Sequence, residues 1–193
     1  MVSAGDRAWL DEVRRLDLAC YAAVASSPTP TLDRAMAALS HAADYSRISL
    51  GAAGCLALLG GRPGRLAARS GLTAVAVTAT VVNVAVKPLA RRRRPDRTAY
   101  DVPIARQVRM PVSGSFPSGH SAAAFAFAGG AGRVVPAVSL PLHGLAATVA
   151  YSRVHTGVHY PLDVVVGAVI GASLSQVSSW ALMRTSSAHE GVR

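Results

Sequence analysis

Residues 164–183 read VVVGAVIGASLSQVSSWALM, twenty residues without a charge. A helix needs about 20 predominantly apolar residues to cross the hydrocarbon core of a bilayer, and about 17 suffice at the short end. Pro161 stands just ahead, where a helix loses nothing by a missing N–H, and Asp163 falls in the first turn. The stretch therefore reads as a membrane-spanning helix. Working back along the chain, residues 134–152 are also uncharged, with Pro136 near the start and Pro141 inside. Residues 118–132, 71–86 and 48–61 are shorter uncharged runs. They span if tilted, or if flanking arginines lay their apolar stems along the helix and keep their heads wet. The pattern predicts an all-α, polytopic membrane helix bundle of five spanning helices, with residues 9–26 as a candidate sixth. Gly167 and Gly171 form a GxxxG pair, which permits close helix contact.

Composition agrees. The chain has 193 residues, 51% of them apolar and 5% aromatic, with a mean hydropathy of +0.32. These values suit one small helical membrane domain. The net charge is +10, and Lys87 is the only lysine among 20 Lys+Arg. Arginines lying between apolar runs suit lipid head groups or a phosphorylated substrate, and no nucleic-acid partner is expected. Cys20 and Cys55 lie in apolar stretches with no metal-ligand spacing, so both read as buried free thiols and no metal site is expected. Asp6, Asp11 and Glu12 interrupt the start before the apolar core of a signal peptide develops.

The organisation read from the chain is 1–44 as amphipathic N-terminal helices, 45–184 as the catalytic transmembrane domain, and 185–193 as a flexible tail. The N-terminal helices break at Ser27, Pro28, Thr29 and Pro30, with Thr31 or Asp33 as a cap. One long loop, residues 90–117, carries Arg91, Arg92, Arg93, Arg94, Arg97, Arg106 and Arg109. A loop of that length in a compact bundle is usually functional or disordered.

Three segments carry chemistry. Lys87 is followed after six residues by Arg94 and Pro95. Pro117, Ser118, Gly119 and His120 are consecutive. Ser152 and Arg153 precede His159 and Asp163. Counting crossings puts all three segments on one membrane face. Three cations around two histidines at a membrane boundary are costly unless they serve something. A phosphoryl group matches them, because its oxygens suit guanidinium forks and an ammonium point charge. Backbone N–H groups of Ser118 and Gly119 at a helix start point toward an anion. Asp163, one turn after His159, can accept from one ring nitrogen and leave the other as a nucleophile, while His120 can protonate the leaving oxygen.

These segments resemble the three signatures of the type 2 phosphatidic acid phosphatases: Lys-x6-Arg-Pro, Pro-Ser-Gly-His and Ser-Arg-x5-His-x3-Asp. Every fixed position is present, in order, between Lys87 and Asp163. The resemblance implies a membrane-embedded lipid phosphatase that needs no metal and no cofactor. It implies phosphate contacts from Lys87, Arg94, Ser118, Gly119 and Arg153, with His120 as acid, His159 as nucleophile and Asp163 as its orienting partner. The family also resembles the vanadium haloperoxidases, which are larger and soluble. Arg91, Arg92 and Arg93 stand where many relatives carry Gly or Pro; with Ser152 they are candidates for head-group contact, or the arginines serve as anchors at an anionic lipid surface.

Family members act on phosphatidic acid, phosphatidylglycerol phosphate or polyprenyl pyrophosphates, usually at the outer face of the plasma membrane. The short length resembles small actinobacterial members, which favours a polyprenyl-linked substrate, best decaprenylphosphoryl-5-phosphoribose, ahead of undecaprenyl pyrophosphate and phosphatidic acid. A lipid phosphotransferase and an anionic-lipid-binding scaffold are the readings from other classes. Outside the motifs, His41 and His143 read as packed or hydrogen-bonded, His155 as a neighbour of the site, Arg106 and Arg109 as solvated or lipid-facing, Phe116 as packing, and Asn83 as an interhelical hydrogen bond.

Overall fold

The computed structural model describes residues 4–190, and side-chain surroundings over residues 7–178. All of its regular elements among the described residues are helical: α1 (Ala4–Ser26), α2 (Pro30–Ala42), α3 (Arg47–Leu59), α4 (Gly61–Thr80), α5 (Lys87–Ala90), α6 (Gly119–Val134), α7 (Ser139–His155) and α8 (Pro161–Glu190).

The break between α1 and α2 falls where expected, because Pro28 and Pro30 withhold backbone donors. Its cap differs. Thr29 stands at the cap position, Pro30 opens the helix, and the Thr29 hydroxyl donates to Asp33 at 3.0 Å. Between α4 and α5 the helix passes through a π-helical segment, Val81–Val86. An extra residue in a helical turn rotates the next turn by about 100°, so this segment sets the direction in which Lys87 projects. Gly61–Ala90 is thereby one continuous helical stretch, with Arg62, Arg65 and Arg69 in its first half.

Helix α6 is the centre of the bundle and packs mainly on α4 and α8. Its inward positions are small apart from Phe127: Ala122, Ala126, Gly130 and Ala131 are buried. A Cβ at Gly171 would lie 2.1 Å from the Ala122 carbonyl oxygen, and one at Gly167 would lie 2.5 Å from that of Ser118. The GxxxG pair therefore brings α8 against the backbone of α6 at the height of the second motif. The outer surface has the opposite character: Leu58, Leu59, Leu89 and Leu140 are each more than 80% exposed, while Ser70, Thr78 and Ser121 are buried. Large apolar groups outside and small or polar ones inside suit a bundle whose surroundings are hydrocarbon.

Two helical stretches, Gly61–Ala90 and Pro161–Ser178, are long and apolar enough to cross a bilayer. The other uncharged runs are shorter as helices, with 13 residues in α3, 16 in α6 and 17 in α7, at or below the length a perpendicular crossing needs. Residues 9–26 form most of α1 but include Asp11, Glu12, Arg14 and Arg15, and α1 does not meet that criterion. Helix α8 continues to Glu190 through the segment read as a loose tail; residues 191–193 lie outside the described residues. Cys20 and Cys55, expected to be buried, are both exposed. Each sits on an outward face of its helix, and an apolar run hides nothing on the side that faces out.

Candidate active site

Helix α7 ends at His155, and a tight turn through Gly157, in the left-handed region at φ 69°, leads to α8. That turn delivers His159 and Asp163, while α6 begins beside it: the Ser118 N–H donates to the Asp163 carbonyl at 2.8 Å. Ser118 therefore does not offer its N–H to an anion as the sequence suggested; its hydroxyl caps α6 by accepting from the Ser121 N–H at 3.4 Å. Gly119 lies beside Lys87, where a Cβ would stand 3.6 Å from Lys87 Nζ.

His159 is almost completely buried. Arg94 Nη1 lies 3.2 Å from its Nε2. A guanidinium has no acceptor, so this contact requires an unprotonated Nε2 and puts the ring proton on Nδ1. Nδ1 lies 3.5 Å from Asp163 Oδ2, a near approach that is longer than a made hydrogen bond. The in-plane lone pair is thus on Nε2, beside the cations. Burial pushes the His159 imidazolium pKa down to about 4, against the opposing pull of Asp163, with Arg94 adding to the fall. The imidazole is therefore neutral at neutral pH.

Arg94 is held by backbone carbonyls: it donates to Ser113 O at 2.9 Å, Val158 O at 2.8 Å and Gly114 O at 3.2 Å. Lys87 Nζ donates to the Ser113 hydroxyl at 3.4 Å. Arg153 is 1% exposed and donates to the carbonyl and hydroxyl oxygens of Ser40 on α2. His120 completes the group; its Nε2 lies 3.0 Å from Asp44 Oδ1, at the corner between α2 and α3. Beside Lys87, Gly119 and His120 opens a cavity of about 210 Å³, lined by apolar groups that include Ile48, Ala52, Val82, Leu142 and Val149. Cations, two histidines and an apolar cleft are what a phosphorylated amphiphile requires.

The second line of contacts was not legible in the sequence. Arg92 donates to Asp163 Oδ1 at 2.8 Å and pairs with Asp17 of α1, with its guanidinium 4.2 Å above the Tyr160 ring. Asp17 also accepts from the Leu162 N–H at 2.7 Å. Arg92, expected at a head group or as a lipid anchor, is therefore committed inward, while Arg91 and Arg93 are exposed. Ser152 is fully buried and donates to the Val149 carbonyl, which leaves it no path to a head group. Arg106, read as solvated, is also fully buried, with Nε 3.0 Å from Asp33 Oδ1 and donations to Val24 O and Ser27 O. His155 meets the same Asp33 oxygen at 2.8 Å and belongs to that cluster. Asn83 bonds the Ala79 carbonyl of its own helix, and exposed His41 lies 3.8 Å from Asp44. No helix break or motif marks Asp17 or Asp44, and the sequence marks Asp33 only as a cap candidate after the break at 28–30, not as a partner for Arg106 or His155.

Residues 68–186 match the PAP2 superfamily, and the chain belongs to it. It is 39% identical over 106 residues to decaprenylphosphoryl-5-phosphoribose phosphatase of Mycobacterium tuberculosis, covering 53% of this chain and 54% of that protein. With the Mycolicibacterium smegmatis protein of the same name it shares 38% over 136 residues, 67% of this chain and 68% of that one. The matched region thus spans between about half and two thirds of these relatives. Among solved structures it resembles Aquifex aeolicus LpxE, with a TM-score of 0.66 at 24% identity over 84% of this chain and 94% of that one. It is equally similar to the transmembrane PAP2-type phosphatidylglycerolphosphate phosphatase of Bacillus subtilis, at 0.66 and 24% over 90% and 87%. The likeness to the solved structures is one of fold.

Proposed function

We propose that this protein is an integral-membrane lipid phosphatase that works through a phosphohistidine, without a metal. The observation that carries this reading is the gathering of Lys87, Arg94 and Arg153 about His159 and His120, with Lys87, Gly119 and His120 lining an apolar cleft. The lipid tail occupies the cleft and the phosphate meets the cations. His159 Nε2 attacks phosphorus, the bond to the lipid oxygen breaks with its electron pair on that oxygen, and His120 supplies the proton. Water then attacks the phosphohistidine, giving its proton to His120, and the P–N electron pair returns to His159. The cations stabilise charge on the transferring group, usually the main source of rate enhancement in such catalysis.

The relatives' names favour a polyprenyl-linked phosphomonoester, best decaprenylphosphoryl-5-phosphoribose. Placement in a bacterial plasma membrane with five or six crossings, and with the site on the outer face, belongs to the same proposal. Phosphate release by the purified protein in detergent with EDTA tests it, over decaprenylphosphoryl-5-phosphoribose, undecaprenyl pyrophosphate, phosphatidylglycerol phosphate and phosphatidic acid. Release by wild type, with at least about a 10³-fold loss in His159→Ala, is the expected result. Release that requires an added acceptor alcohol would show a phosphotransferase. No turnover, with lipid binding lost only on removing Arg91 and Arg93, would show a scaffold.

A further inference from the structure

The corner between α2 and α3 carries two non-glycine residues in the left-handed region, Tyr45 at φ 56° and Ser46 at φ 57°. Such backbone is costly and persists where surrounding structure over-determines it. Asp44, the residue just before them, is aimed into the site. Its Oδ1 lies 3.0 Å from His120 Nε2 and 3.9 Å from Arg153 Nη1. The carboxylate accepts only, so the Nε2 facing it carries a proton.

We propose that Asp44 is a positioning residue for His120: it fixes the ring and balances the imidazolium that hands a proton to the departing lipid oxygen. The inference rests on the phosphatase reading above. Burial and the like charge of Arg153 both disfavour a cation at His120, and the Asp44 carboxylate in contact is the group that opposes them. With Nε2 committed to Asp44, the other ring nitrogen is the one that delivers the proton. Asp44 stays ionised through both steps and gains no bond. His159 already has Asp163, so the two histidines each have their own carboxylate, one from α8 and one from a corner that no motif marks.

The test separates this role from a structural one by the leaving group. An alkoxide needs a proton as it departs, while p-nitrophenolate is stable without one. In wild type, Asp44→Asn and Asp44→Glu, kcat/KM is measured on p-nitrophenyl phosphate and on two lipid monophosphates, dioctanoyl phosphatidic acid and farnesyl phosphate. Asp44→Asn should lose about 100-fold on the lipid phosphates, the scale of general acid catalysis, and far less on p-nitrophenyl phosphate. Asp44→Glu should recover part of the loss. Equal losses on both leaving groups, or none, would overturn the proposal while leaving the phosphatase intact. A wild type that cleaves none of the three, with His159→Ala indistinguishable from it, would overturn the phosphatase reading and this inference with it.

Discussion

The Arg92 guanidinium bridges Asp163 and Asp17, binding Asp163 Oδ1 at 2.8 Å while His159 Nδ1 approaches the other oxygen of the same carboxylate at 3.5 Å. The Tyr160 N–H donates to that second oxygen at 3.0 Å. Asp163 is therefore clamped from both sides, and α1 is tied to the surroundings of His159 through Asp17, Arg92 and Asp163.

Removing the clamp should act on chemistry more than on substrate binding. Arg92→Ala is expected to lower kcat by about 10- to 100-fold, the scale on which orienting partners act, with a smaller change in KM. Arg91→Ala and Arg93→Ala remove exposed charges and should raise KM with kcat nearly unchanged. Steady-state kinetics on one lipid phosphate checks all three. A kcat loss shared equally by the three arginines would dissociate Arg92 from Asp163.

The buried His159 should titrate far below an ordinary histidine. In protein labelled with ¹⁵N-histidine in detergent, the resonance missing from His159→Gln should stay that of a neutral imidazole down to pH 5 and change near pH 4. Stability inherits the shift with a definite sign. Unfolded histidine takes its proton at about 6.5 while native His159 does not, so this group's contribution to stability is intact above that pH and is lost as pH falls toward 4. Titration near 6.5 would place the ring in water.

Arg106, Asp33 and His155 form a buried cluster that, among the described residues, makes no hydrogen bond or ion pair with His120 or His159, so its loss should cost fold before chemistry. Arg106→Met leaves Asp33 with His155 and the Thr29 hydroxyl alone. Removing one member of a buried ion pair costs about 3–5 kcal/mol, which for a chain of this size is roughly a 10 °C fall in Tm. Thermal unfolding in detergent measures it, and a Tm within about 2 °C of wild type would show the cluster to be solvated.

The α6–α8 contact should tolerate no side chain at its closest point. A Cβ at Gly171 would meet Ala122 O at 2.1 Å, while one at Gly144 meets nothing within 4 Å. Gly171→Ala is expected to destabilise by about 1–3 kcal/mol, as overpacking does. Gly144→Ala, in the middle of α7, should be neutral or stabilising by about 0.5–1 kcal/mol. The two Tm shifts should have opposite signs; a shared sign would mean that α6 and α8 are not in contact here.

The sequence alone determined the helical class and which residues were candidates for the site. Uncharged runs announce helices because no other element satisfies its backbone within one segment in hydrocarbon. Lys87, Arg94, His120, Arg153, His159 and Asp163 were legible as a group because they stand in three short segments whose spacings match the family's signatures. Counting helices also placed the motifs at one end of the bundle, since each helix of an antiparallel bundle reverses the chain. Tertiary structure alone decided the partners. Asp44 reaches His120 across 76 residues, Asp17 reaches Arg92 across 75, and Asp33 reaches His155 across 122. A lone acidic residue carries no period or motif, and its meaning depends on which side chain the fold sets within 3 Å of it. The same holds for Ser118, whose N–H is claimed by Asp163, and for Arg106, which a polar loop would leave in water but which the bundle buries.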